Sequence, residues 1–305
     1  KVFLGSRRLA IFDLNNRSNQ PMHSLCSRYI IIFNGSIYNY KTLRKYLIDN
    51  NIKLKTHSDT EVILELFALE GSKMLPKLEG MFAFVIWDCK KKEGFAARDP
   101  FGIKPLYIGT NLKGIILSSQ VKAILSTKLI SKDKDMNSQF SFWNLGYVLE
   151  PRTWFKNIKA LKSGCYIHIK DGKIISEIQW YDLNKNWIIA DNKEQKITKS
   201  KFSKIIKDSI VTSVKKHLVA DVPIGIFLSS GIDSTIIASI ASSNSKKKIT
   251  AITVSFESFD GSEYDETSKA KKIAQNFGME HHIFRVTQKD FQNDLPNILE
   301  AMDQP

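Results

Sequence analysis

Cysteine is scarce in this 305-residue chain: Cys26, Cys89 and Cys165 stand far apart. No spacing among them suggests a metal knuckle or a disulfide framework. The three read as small semi-buried residues, and the chain as one for the reducing cytoplasm. Long apolar runs are missing as well. None reaches the roughly 18 residues of a membrane helix, and the opening KVFLGSRR lacks the apolar core and cleavage site of a signal peptide. No membrane association is expected. A basic stripe interleaved with aromatics is also absent, although the net charge is +14. The lysines are spread along the chain, with short clusters at Lys90–Lys92 and Lys246–Lys248, and the abundance of Lys, Asn and Ile reads as a compositional bias. No nucleic-acid partner is therefore expected. The chain starts without methionine and stops at EAMDQP just after a helical pattern, from which we expect a piece of a longer protein lacking both ends.

What is present is the composition of a globular protein, 43% hydrophobic and 25% charged, with length enough for two domains. Residues 1–182 are dense in short β-type runs, at 28–35, 80–88, 93–99, 105–109 and 114–119, each bounded by Gly, Asn, Asp or Pro. NYKTLRKYLIDNN and SDTEVILELFALEGS read as helices between them. In the second, Val62, Ile63, Leu66, Phe67 and Leu69 recur at helical spacing, behind Ser58 as N-cap and Glu61 as the partner of a capping box. This pattern predicts an α+β domain with layered, mainly antiparallel sheets. A polar stretch at 183–200 reads as a linker. Beyond it, 201–305 alternates helix 199–217, a buried strand at 223–228, a helix from Ser234 to about Ala241, strand 249–256, a helix, and strand EHHIFRV. That order predicts an α/β domain with a doubly wound parallel sheet.

The chemistry-bearing stretch is VPIGIFLSSGIDSTIIASIASS, where a buried strand ends on hydroxyls, a glycine and a carboxylate. In an open parallel sheet, ligands sit beyond the carboxyl ends of the strands. Gly231 allows close backbone approach, Ser229 and Ser234 add hydroxyls, and the next helix aims its free N–H groups at the same spot, so the place suits an anion. Asp233 fits there if a Mg²⁺ ion is shared with phosphates. A Walker loop is absent, and a plain polar strand-to-helix turn with a serine or aspartate cap remains the alternative.

LSSGIDS resembles the pyrophosphate loop of the N-type ATP pyrophosphatases, with Ser230 where the usual form, Ser-Gly-Gly-Leu-Asp-Ser, has its first glycine. In front of it GSRRLAIFDLNNRSNQPM, IIFNGSIYNYKTLRKYL, HSDTEVILELFALEG, LEGMFAFVIWD, ARDPFGIKPLY and GYVLEPRTWFKNIKAL resemble, in order, the class II glutamine amidotransferase domain of the asparagine synthetase B family. The resemblance covers nearly the whole chain. It implies an Ntn-hydrolase-like first domain, an incomplete ATP pyrophosphatase second domain, and the substrates glutamine, aspartate and ATP with Mg²⁺. It implies that ATP and aspartate form β-aspartyl-AMP, which ammonia from glutamine, led through an internal passage, converts to asparagine.

Residue by residue, the resemblance assigns Asn34 and Gly35 to the oxyanion hole and Arg8 to the glutamine α-carboxylate. It assigns Asp59 to the α-ammonium, and Leu9, Ala10, Ile11, Phe12 and Ser36 to the pocket lining. Ser36 departs from the family's usual glutamate. Leu228 and Val254 fall near adenine and ribose, Ser229, Gly231, Asp233 and Ser234 on pyrophosphate, and Asp233 on the metal; Asp265 or Glu266 would assist. The nucleophilic cysteine, which opens the family's chain, precedes this segment, so this stretch alone is not expected to turn over. Taken singly, Asn34-Gly35 could be a hairpin turn, Asp59 a helix-capping acid, Arg8 a solvated arginine beside Arg7, and Val254 sheet core. A related enzyme that amidates another carboxylate, a sugar acid or a β-lactam precursor, stays open, as does a non-catalytic RNA-binding protein. A homodimer is also left open.

Overall fold

The computed structural model describes residues 1–191, 198–245 and 247–304. The middle of the expected linker, 192–197, and position 246 of one lysine cluster lie outside them. The chain forms two compact units, Lys1–Glu194 with Met302–Pro305, and Gln195–Ala301.

The first unit carries β1 (Met22–His23), β2 (Tyr29–Ile37), α1 (Tyr40–Asp49), α2 (Asp59–Glu70), β3 (Gly80–Asp88), β4 (Glu93–Arg98), β5 (Tyr107–Asn111), β6 (Gly114–Ser118), α3 (Val121–Ser126), α4 (Met136–Leu145), β7 (Ile158–Ala160), β8 (Cys165–Lys170), β9 (Lys173–Gln179) and α5 (Leu183–Asp191). Six strands pair in the order β1-β2-β3-β4-β8-β9 and three in the order β6-β5-β7. Every pairing in these two sheets is antiparallel. The run GMFAFVIWD becomes β3, a central strand apolar on both faces because both faces are covered. Phe84 meets the ring of Phe95, which in turn meets Phe67 of α2. On the opposite face, Ala83 and Val85 pack with Leu106, Ile108 and Ile167 between the two sheets. Ile124 of α3 and Ile158 close the outer side of the smaller sheet. The result is helix, sheet, sheet, helix.

Helix α2 is buried all round in its first two turns. Its Ile63, Leu64 and Leu66 are fully buried, each contributing about 1.5–3 kcal/mol relative to exposure. Leu69, expected on the same face, is exposed, because the helix runs out of the core in its last turn. Ser58 caps it as expected, accepting from Thr60 N. The capping box does not form: Glu61 reaches past Ser58 to the backbone N–H groups of Lys55 and Thr56 and the Thr56 hydroxyl, at 2.7–2.8 Å. Part of the stretch expected as linker is helical, since α5 starts at Leu183.

Helix α3 has no side-chain cap from Gln120. Its first N–H groups are satisfied from far along the chain: Asp303 accepts from Val121 N at 2.6 Å and Lys122 N at 2.9 Å. Gln304 accepts from Trp154 N at 3.0 Å. These contacts explain why Met302–Pro305 clusters with the first unit. Asp303→Ala is expected to destabilise that unit by about 1 kcal/mol, as for other lost N-caps. Calorimetry should show its melting midpoint lowered by roughly 2–4 °C.

The second unit holds α6 (Lys199–His217), β10 (Gly225–Phe227), α7 (Ile232–Asn244), β11 (Thr250–Phe256), α8 (Thr267–Asn276), β12 (Glu280–Val286) and α9 (Gln288–Ala301). Its strands are parallel, in the order β10-β11-β12. The strand expected at 223–228 is shorter and largely exposed, with Leu228 buried just past its end. Among the described residues β10 is an edge strand, which leaves Gly225 and Phe227 open to solvent. Leu228, Ala238, Ile249, Ala251, Ala270 and Ala274 form the core that joins α7 and α8 to the sheet.

Candidate functional site

In the first unit a cavity of about 460 Å³ opens where β2 and β3, the start of α2 and the N-terminal segment meet. Arg8, Leu9, Ile11, Phe12, Asn34, Gly35 and Asp59 all line it. Ala10 and Ser36 do not: Ser36 is buried in β2 beside Gly80.

Asn34-Gly35 is no hairpin turn. It lies inside β2, paired with Ala83 and Phe82 of β3, and the ladder continues to Ile37 opposite Gly80. Gly35 is required by close approach, since a Cβ there would stand 2.2 Å from Met81 O and 2.8 Å from Phe82 Cα. Asp59 opens α2 with its carboxylate buried, and Oδ2 accepts from Ile37 N at 3.1 Å. The acid is thereby tied to the strand that presents Asn34 and Gly35. Burial pushes its pKa up to about 6, against the opposing pull of the Ile37 and Thr60 N–H groups and the Arg8 charge. Arg8 is folded onto its own segment, donating to the carbonyls of Phe12 and Asp13. Asp13 fixes that segment in turn by accepting from His57 N at 2.7 Å. A guanidinium has five N–H donors, so this anchoring leaves Arg8 with donors to spare.

Several supports of this cavity are long-range contacts that the sequence does not announce. Gln20 lines it and bridges β2 to α2, accepting from Phe33 N at 2.7 Å and donating to Thr60 Oγ1 at 3.3 Å. The wall at Lys104 and Pro105 is held by the fully buried Asp99, which accepts from the N–H groups of Phe82, Phe101, Ile103 and Lys104. Arg98, also buried, donates to Lys104 O, Gly102 O and Leu161 O and pairs with Glu150. The ARDPFG motif was the available signal for both. None of the three cysteines lines the cavity: Cys165 is buried between the sheets, and Cys26 and Cys89 line a separate depression.

In the second unit Leu228–Gly231 connects β10 to α7, whose first turn carries Asp233 and Ser234. Gly231 is the N-cap of α7 and makes no side-chain cap bond. The first N–H groups of the helix, which have no intrahelical carbonyl, therefore meet no capping side chain from it. Ser229 and Ser234 stand with hydroxyls 2.9 Å apart, and Ser229 Oγ accepts from Gly231 N at 3.2 Å. Ser230 donates to Glu266 at 3.1 Å. Asp233 is exposed in the first turn of α7. Val254 is exposed near the carboxyl end of β11, so it is not sheet core, and Leu228 is buried directly beneath the loop. An uncapped helix N-terminus with hydroxyls around it has the chemistry of a phosphate cradle. Among the described residues no group of three or more His, Cys, Asp or Glu could hold a metal ion. A carboxylate beside a phosphate cradle is the donor type that a Mg²⁺ shared with phosphate oxygens and water takes, so Asp233 would fit such an ion.

Residues 1–181 match the glutamine amidotransferase domain family. The chain belongs to that family. Residues 206–305 match the asparagine synthase family, so the amidotransferase domain is followed by a second recognised domain in the order the motifs suggested. Over its full length the chain is 35% identical to asparagine synthetase [glutamine-hydrolyzing] 1 of Bacillus subtilis, covering 46% of that protein. It is 34% identical to a putative asparagine synthetase [glutamine-hydrolyzing] of Mycobacterium tuberculosis, covering 47% of it. A third relative, putative asparagine synthetase [glutamine-hydrolyzing] 2 of Methanocaldococcus jannaschii, is 32% identical with 60% covered. The chain thus spans about half the length of the curated relatives it matches. Among the described residues no helix is long and apolar enough to cross a membrane.

Proposed function

We propose that the protein makes asparagine from aspartate and ATP with ammonia taken from glutamine. The observation that carries this reading is that Arg8, Asn34, Gly35 and Asp59, distant in sequence, line one cavity in a chain that also carries the uncapped Ser229–Ser234 turn. In the first unit the Arg8 fork suits the glutamine α-carboxylate and the Asp59 carboxylate its α-ammonium. The Asn34 side-chain amide and Gly35 N–H act as donors to the carbonyl oxygen as negative charge develops on it. The attacking thiolate is the N-terminal cysteine that the family resemblance implies.

In the second unit Ser229, Gly231 and Ser234 hold the pyrophosphate end of ATP, with Asp233 toward Mg²⁺. Val254, exposed near the end of β11, flanks the nucleoside, and the buried Leu228 supports the loop from the core. Magnesium, when bound, neutralises the phosphate charge that Asp233 would otherwise oppose. The aspartate side-chain carboxylate attacks the α-phosphorus, pyrophosphate leaves, and ammonia then displaces AMP from β-aspartyl-AMP. The test is to incubate the complete gene product with Mg-ATP, aspartate and glutamine and to follow asparagine by mass spectrometry. Asparagine formed in step with AMP and pyrophosphate is the expected result. Folded protein that yields none overturns the choice of aspartate as acceptor.

A further inference from the structure

Beneath the Ser229–Ser234 loop a chain of hydrogen bonds crosses the parallel sheet. Thr253 of β11 is buried, and its hydroxyl oxygen lies 2.7 Å from Leu228 O and 2.8 Å from His281 Nε2. The directions follow from donor counting. A carbonyl only accepts, so the single hydroxyl hydrogen of Thr253 goes to Leu228. The Thr253 oxygen must then accept from His281, whose Nε2 carries the hydrogen. Burial, with help from His282 and Lys271, lowers the pKa of His281 and favours its neutral ring, in which the bond to Thr253 assigns the hydrogen to Nε2. Leu228 is held on its other side too, its N–H donating to Ile252 O at 2.8 Å. The residue on which the strand ends is therefore clamped at both backbone groups, one position before Ser229.

We propose that Thr253 and His281 are positioning residues for the nucleotide site: His281 on β12 orients the Thr253 hydroxyl on β11, which fixes the Leu228 carbonyl and so the entry of the chain into the Ser229–Ser234 loop. Neither residue reaches into that loop, and neither belongs to the motif that marks it. Their effect comes through geometry. Ser229 Oγ accepts from Gly231 N, and Ser234 donates within the loop to Ser229 O or Gly231 O. A rotation of the Leu228–Ser229 peptide would misplace every donor that follows.

This proposal rests on reading the loop as the pyrophosphate site, and the experiment separates the two. Aspartate-dependent exchange of labelled pyrophosphate into ATP is measured on the complete gene product, alongside glutaminase activity and melting temperature. Thr253→Val keeps shape but removes the hydroxyl; Thr253→Ser restores it; His281→Leu removes the donor to it. Thr253→Val and His281→Leu are each expected to lower kcat/KM for ATP in exchange by about 10–100-fold, with glutaminase activity unchanged. Thr253→Ser should recover to within about threefold of the parent. Equal loss in Thr253→Ser and Thr253→Val, or a fall in melting temperature with exchange intact, overturns the positioning role. Parent protein that is active as a glutaminase yet binds no Mg-ATP by calorimetry overturns the nucleotide reading itself and the relay with it.

Discussion

Asp59→Asn is expected to cost about 100-fold in glutamine-dependent asparagine formation and to leave ammonia-dependent formation within about twofold. The loss corresponds to about 3 kcal/mol, the scale of removing one partner from a buried charge pair. Asn keeps an acceptor for the Ile37 N–H but presents no charge to an α-ammonium group. The pH dependence has a definite sign. The Asp59 carboxyl titrates at about 6 because it is buried, and the charged form is the one that binds. Glutamine-dependent kcat/KM, which reports the free enzyme, should therefore fall as pH drops through about 6. The ammonia-dependent reaction should lack this limb. Stability moves the other way. The folded pKa lies above the ordinary aspartate value of 3.8, so between these values the folded chain keeps a proton that the unfolded chain has released. The group favours folding at low pH, and that advantage is lost as pH rises to 6. That rise makes charged Asp59 about 3 kcal/mol costly at neutral pH. Asp59→Asn should then melt no lower than the parent at pH 7.5. An acid present only to support the helix would show lower stability and parallel loss of both activities, and that result would sink the binding role.

This opposition between stability and function separates what the sequence displays from what it hides. Covered strands announce themselves: GMFAFVIWD is apolar throughout because both of its faces are packed, and the limits expected for it are the limits of β3. The parallel order of the second unit is equally plain in its alternation of strands and helices. Dipeptide signals are less informative. Asn34-Gly35 has the composition of a hairpin turn, yet sits mid-strand because close approach of β3, not turning, requires the glycine. Local capping patterns fail when a long side chain has a better partner, as Glu61 does in Thr56. Contacts between distant residues leave no local trace at all. Gln20 bracing β2 against α2, Asp303 capping α3 and His281 supporting Thr253 each depend on how the chain folds back. The candidate site was legible where family motifs named its residues; the contacts by which Gln20, Arg98 and Asp99 hold it in place were not, although all three lie inside those motifs.

Asp233→Asn offers the sharpest test of the second unit, because its effect should change sign with magnesium. The side chain is exposed in the first turn of α7, beside the N–H groups that suit a phosphate. Alone, a carboxylate there repels a polyphosphate; two unit charges a few ångströms apart near a protein surface interact by up to about 4 kcal/mol, and less when exposed to water and salt. With Mg²⁺ between them the repulsion becomes a shared coordination. Asp233→Asn should thus bind metal-free ATP about tenfold more tightly than the parent, as measured by calorimetry in EDTA. In excess Mg²⁺ it should lose about 100-fold in ATP–pyrophosphate exchange, a deficit of about 3 kcal/mol. Glutaminase activity should be unchanged. A carboxylate that merely complements the helix dipole contributes about 0.3–1 kcal/mol to stability. Its removal would lower the melting temperature slightly and leave exchange within twofold in either condition. The two readings therefore differ in direction as well as size, and a metal-independent effect of Asp233→Asn would exclude the shared cation.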